Sequence, residues 1–149
     1  MAGGFRVGAV GARAGAVAAT IRGTREALAG SRRAVIDLPT RRDGTPNSLV
    51  IGVLARRFPR LFAGLQEEAA QAVAARWSQG GIRTGLEELA LVAGRGIARG
   101  LAARLRSGRY VTNLPETRAR KLAAGLSPVP GVATGELANA LDNARVRVE

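Results

Sequence analysis

From about Ala9 to Ala29, Val10, Val17, Ile21 and Leu28 recur at roughly helical spacing in an Ala-rich background, which predicts a first helix. Gly8, Gly11, Gly15 and Gly23 weaken that helix by up to ~1 kcal/mol each against Ala. The residues before it, Met1 to Gly4, are expected to be disordered, and residues 1–8 to form a flexible arm on a single domain spanning 9–149. After Gly30-Ser31, the run Ala34-Val35-Ile36-Asp37-Leu38 predicts a short strand stopped by Pro39. Thr40 to Asn47 is a loop by its Gly, Pro and Asn content, and Leu49-Val50-Ile51-Gly52-Val53-Leu54 follows as an apolar, β-rich run. Two such runs around a polar loop predict a hairpin that protrudes, or an edge that pairs with another chain.

Helical periodicity returns at Pro59. Leu61, Leu65, Ala69, Ala72, Val73 and Trp77 mark one face of a helix that Pro59 opens and Gly80-Gly81 ends. Gly85 to Arg106 carries the clearest stripe: Leu86, Leu89, Val92, Ile97, Leu101 and Leu105. Thr84, three residues before Glu87, suggests a capping box. Glu87 and Glu88 at the start, with Arg104 and Arg106 at the end, suit the helix dipole. A short helix from Glu116 to Ala124, a loop over Gly125–Gly131 and a helix from Gly135 to Leu141 capped by Thr134 come next. Alternation over Asn143–Val148 predicts a half-buried strand. The expected fold is α+β, with helices packed on a small mixed β-sheet that carries a protruding hairpin or long loop.

Composition narrows the function. The 149 residues include neither histidine nor cysteine, which removes the commonest general base, the thiol nucleophile and the usual transition-metal ligands. Glu67-Glu68 and Glu87-Glu88 are sequence neighbours on helices, which do not share a face, and read as solvated surface. Metal-binding and phosphate-loop spacings are lacking, so no enzyme, metal or cofactor is expected. No apolar run reaches the ~20 residues that span a bilayer. Formal net charge is +12, nearly all from arginine, with Lys121 the only lysine. Such a chain repels itself as a monomer and attracts nucleic acid or acidic surfaces. Aromatic residues are few, and Phe62 and Trp77 fall on one apolar helix face, where core packing is expected rather than base stacking.

The last 65 or so residues follow an ordered series. A long amphipathic helix leads to Leu114-Pro115-Glu116-Thr117 and Arg118-Ala119-Arg120-Lys121; a Gly/Pro loop then precedes Val132-Ala133-Thr134-Gly135-Glu136-Leu137 and a strand of alternating Arg and Val. This order resembles the tail-completion and virion-morphogenesis proteins of tailed bacteriophages, the family of head–tail junction and tail components. Thr117 and Lys121 look like the family's Thr-x-x-Arg-Lys-like element, and Pro130, Thr134, Gly135 and Leu137 like its Pro-Leu-x-x-Thr-Gly-x-Leu element. Ala133 stands where an acidic residue usually precedes the Thr-Gly pair, and the loop Pro128–Val132 is longer than the common form.

The resemblance implies a structural virion protein of the phage neck, made in the host cytoplasm. It would assemble as a homo-oligomeric ring that completes or terminates the tail, joins it to the head and lines the DNA path. Six copies are expected, or twelve against the portal, with portal, adaptor, stopper or tail-tube proteins as neighbours, transient contact with genomic DNA and no membrane. Candidate inter-subunit or ring contacts are the doublets Arg32-Arg33, Arg41-Arg42 and Arg56-Arg57, and the cluster Arg118, Arg120 and Lys121. A solvated basic surface is the plain alternative for each. The rival class is a nonspecific, nucleoid-type DNA-binding protein, against which stands the lack of a helix-turn-helix pattern.

Overall fold

A computed structural model describes residues 4–13, 15–24, 30–107, 115–126 and 136–149. Three strands open the chain: β1 (Phe5–Arg13), β2 (Ala16–Gly23) and β3 (Gly30–Asp37). Helices α1 (Asn47–Arg57), α2 (Pro59–Gly80), α3 (Leu86–Ser107), α4 (Pro115–Ala123) and α5 (Glu136–Asp142) follow, and β4 (Arg145–Val148) closes the series. The fold is α+β as expected. Its sheet, of order β1-β2-β3-β4, is antiparallel throughout rather than mixed.

Where a helix is expected over Ala9–Ala29, the described residues form the β1–β2 hairpin, and residues 14 and 25–29 lie outside them. The hairpin's inner face has period two: Val17, Ala19 and Ile21 are buried, while Ala18, Thr20 and Arg22 point the other way. Alanine's helix propensity yields here to burial on a pleated surface. Gly15, at φ 73°, takes the left-handed conformation that the tight turn between Arg13 and Ala16 demands. The flexible arm expected over residues 1–8 is, from Phe5 onward, part of β1. Phe5 is buried, and its ring meets Trp77 edge-on with centroids 5.1 Å apart.

The expected strand Leu49–Leu54 is also overturned, and with it the protruding hairpin. This run lies in α1, where Ile51 and Leu54 are buried while Leu49 and Val53 are exposed, the i, i+3 and i, i+4 split of a helix. A short run of contiguous apolar residues carries no period, so the flanks decide. Pro46 occupies the N-cap position, and Asn47 Nδ2 donates to the Pro39 carbonyl at 2.9 Å.

α2 and α3 appear where periodicity places them, with Pro59 in the first turn of α2. Leu61, Leu65, Ala69 and Val73 are buried along α2, although Ala72 is exposed. Leu89, Ala93, Ile97, Leu101 and Leu105 are buried along α3. The capping box does not form: Thr84 is buried against the bare backbone of Gly80, and its hydroxyl has no partner among the described residues. α3 lies directly on the sheet at Gly94. A Cβ there would stand 2.6 Å from Val146 Cγ1 and 3.2 Å from Ala34 Cβ. α1, α2 and α3 pack on this inner face, and β4, as expected, is a strand that extends it beside β3.

Candidate functional site

Among the described residues, no three acidic side chains gather to hold a metal ion, and no helix is long and apolar enough to cross a membrane. The chemistry on display is arginine chemistry, distributed over three surfaces. Strand alternation splits the first doublet: Arg32 lies on the inner-face side, 3.9 Å from Glu87, whereas Arg33 lies on the outer face, 4.0 Å from Glu149.

The first surface is a corner. The loop Thr40–Asn47 folds back rather than protruding, because Arg41 N–H donates to the Thr45 carbonyl and Gly44 N–H to the Arg41 carbonyl. Thr45 N–H also donates to Asp43 Oδ1, which holds the Asp43 carboxyl below its ordinary pKa. Arg42 N–H donates to Glu136 Oε1 at 3.0 Å, tying the loop to the start of α5. A groove of 390 Å³ runs between them, lined by Pro39, Arg42, Asn47, Glu136, Asn139 and Asn143. Partial burial and the nearby Arg41 charge push the Lys121 ammonium below its ordinary pKa. Lys121 thus lies within electrostatic reach of Arg41 in this loop. Thr117, Arg118 and Arg120 share α4 with Lys121, and no residue of that helix is buried. Leu137 is buried against the core from α5, whereas Pro130, Thr134 and Gly135 lie outside the described residues.

The second surface is the outer side of α1. Leu49 and Val53 are 52% and 49% exposed, one helical turn apart. Arg56 and Arg57 follow in the last turn, and Arg60 stands at the start of α2; none of the three has an acidic partner among the described residues. Arg57 stacks over Phe58, 5.4 Å from its ring centroid.

The third surface is the outer face of the sheet, which the doublet search misses. Arg6 and Arg13 of β1, Arg22 of β2, Arg33 of β3, and Arg145 and Arg147 of β4 all project there. Glu149 gathers three of them: it pairs with Arg13, lies 3.3 Å from Arg147 Nη1 and reaches Arg33. Arg147 Nε also donates to Asp37 Oδ2 at 2.8 Å. The hydrogen bond from Arg13, then that from Arg147, holds the Glu149 carboxyl below its ordinary range; Asp37 in turn raises the Arg147 pKa. The Arg13–Glu149 pair spans from the first strand to beyond the last, and Val35, in the middle of this face, is fully buried. A period-two reading of β1 and β2 would have found this face; the helical reading scatters the same arginines around a cylinder.

No protein-family model, curated protein or solved structure matches the chain.

Proposed function

We propose that this chain is a structural protomer of the neck of a tailed-phage virion, a ring subunit that completes the tail end and joins it to the head. The observation that carries the reading is the outer side of α1, where two exposed aliphatic side chains stand beside three arginines without acidic partners. Water solvates a lone exposed Leu at little cost, but an aliphatic pair rimmed by guanidinium groups has the make-up of a protein contact: an apolar centre and a charged edge. Glu67 and Glu116, which pair with no arginine among the described residues, offer a neighbouring copy carboxylates for such groups to meet. A basic patch on one side of a subunit and carboxylates elsewhere suit head-to-tail contacts, which close into a ring when the rotation allows.

The C-terminal third supports the same reading. α3, the basic α4 bearing Thr117 and Lys121, the short α5 anchored by Leu137 and the terminal strand β4 follow the order of the family that the sequence resembles. Six copies would match a tail tube, and twelve a portal; the adjoining partners would be portal, adaptor, stopper or tail-tube subunits. The loop bearing Arg41 and Arg42, and α4 with Arg118, Arg120 and Lys121, would meet one of these rings.

The test is to delete the chain from phage production and to locate it in intact particles by density mapping. Heads and tails that accumulate unjoined, and a subunit found at the junction, are the expected results; particles that join normally without it end the proposal. Leu49→Ser/Val53→Ser should leave the monomer's melting temperature within a degree or two while preventing its incorporation into particles. The second reading, a nonspecific DNA-binding protein acting outside any particle, draws on the basic outer face of the sheet. It would be favoured by tight duplex binding at physiological salt combined with normal particle assembly in the deletion.

A further inference from the structure

We propose that the outer face of the sheet is a contact surface for the sugar–phosphate backbone of duplex DNA, with Arg6 and Arg22 at its centre of action. This deepens the neck reading by naming the surface that faces the DNA path, and to that extent rests on it. The starting point is a cross-strand pair. Arg6 and Arg22 are directly opposite each other on β1 and β2, on the same face, both exposed, and neither has an acidic partner among the described residues. Like charges directly opposite across an antiparallel pair are destabilising. An anion lying between them removes that repulsion, so this arrangement binds polyanions better than it serves the isolated fold.

The rest of the face fits the same ligand. Six arginines project from it against two carboxylates, Asp37 and Glu149. Those carboxylates neutralise Arg13, Arg33 and Arg147 in part and tie them down across the sheet, leaving Arg6, Arg22 and Arg145 without ion pairs among the described residues. From the row of Arg22 to that of Arg145 the strands run about 20 Å, long enough to reach several phosphates of one strand. Between these ends the floor is Gly8, Gly11, Ala18 and Thr20, and a shallow hollow of 290 Å³ borders Gly11, Ala18 and Thr20. Small residues thus floor the β1–β2 side, while Arg33, Val35 and Arg147 stand on the β3–β4 side of the same face.

Duplex DNA is favoured over a protein partner by what the face lacks among the described residues. The exposed large hydrophobic side chains, Leu49, Val53, Leu122 and Leu126, are all on or beside helices and none is on the sheet. A protein interface draws its energy from buried apolar and aromatic anchors, and this face presents none. The proposed contact is with phosphates: the face is a broad sheet surface with no element projecting from it among the described residues to enter a groove and reach base edges. Three phosphate contacts per protomer give a weak and slidable grip, which suits a conduit.

The experiment titrates the full chain with a mixed-sequence 30-base-pair duplex over a range of salt concentrations. Three phosphate contacts predict a slope of log K on log salt of about −2.7. Arg6→Gln/Arg22→Gln should flatten that slope by about 1.8 and weaken binding roughly 10- to 100-fold at 0.1 M salt. Arg56→Gln/Arg57→Gln removes the same charge from α1 and should change the slope by less than about 0.5, while Arg6→Lys/Arg22→Lys should retain the wild-type slope, since Lys also neutralises phosphate. Any one of three results overturns the proposal: an α1 variant that loses as much as the sheet variant, a wild-type chain that does not bind the duplex at 50 mM salt, or poly-glutamate bound as tightly as DNA. Particle assembly reports separately. If the chain is needed to join heads to tails but the sheet variant binds DNA normally, this inference fails and the neck reading stands. If DNA binding depends on the sheet but particles assemble without the chain, the neck reading fails alone.

Discussion

The two faces of the four-stranded sheet are built from the same strands and obey opposite rules. On the inner face, Val17, Ala19, Ile21, Ala34 and Ile36 are buried beneath helices, and α3 approaches closely enough at Gly94 to leave no room for a side chain. On the outer face, arginines, two carboxylates and small residues share the surface, and ion pairs order it. One face spends its residues on stability. The other tolerates six arginines because solvent and a few carboxylates screen them, and surface pairs of this kind contribute little to folding. Alternation along a strand thus lets one segment serve the core and a ligand surface at the same time.

That contrast breaks most visibly on the inner side. Ile36→Ala deletes a fully buried side chain under the helices and should cost about 2–5 kcal/mol in urea or thermal unfolding. Gly94→Leu attacks the same layer by overpacking, since Val146 and Ala34 already occupy the space, and should cost about 1–3 kcal/mol. If either leaves the melting temperature unchanged, the inner face is not the stabilising one.

Substitutions on the outer face should barely register in stability. Glu149→Gln releases Arg13, Arg33 and Arg147 and should lower the melting temperature slightly at neutral pH. Because the Glu149 carboxyl is held below its ordinary value of 4.5, its stabilisation is complete above that pH and is lost as pH falls through the lower, folded-state value. The melting curves of wild type and Glu149→Gln should therefore converge under acid and remain apart at pH 7. Smallest of all, Arg6→Gln/Arg22→Gln should leave the melting temperature unchanged or raise it, since the repulsion across β1 and β2 disappears. A marked loss of stability would mean that these side chains hold the fold together and are not free for a ligand.

Much of the helical layer was readable in advance, for a definite reason. α2 and α3 are long, their apolar residues repeat at 3.6, and Pro59 and Gly80-Gly81 mark the ends of α2. β3 and β4 declared themselves through β-branched residues between turn signals. The β1–β2 hairpin did not, because alanine and glycine fill its alternating positions and a period of two fades when small residues stand on both faces. α1 was hidden by its six-residue run, Leu49 to Leu54, which has no gap from which to read a period. The arginine doublets misled for a related reason: neighbours in sequence are Arg32 and Arg33, but neighbours in space are Arg33, Arg147 and Arg13 around Glu149.

By itself, then, the sequence settled the charge, the lack of histidine and cysteine, and the long amphipathic helices, because these depend on composition and on contacts within one turn of chain. The tertiary structure decided which arginines share a surface, that β1 is a strand, and that the loop Thr40–Asn47 folds back onto α5. Those outcomes depend on partners up to 136 residues apart, such as Arg13 and Glu149, and no local pattern records a contact between residues so distant.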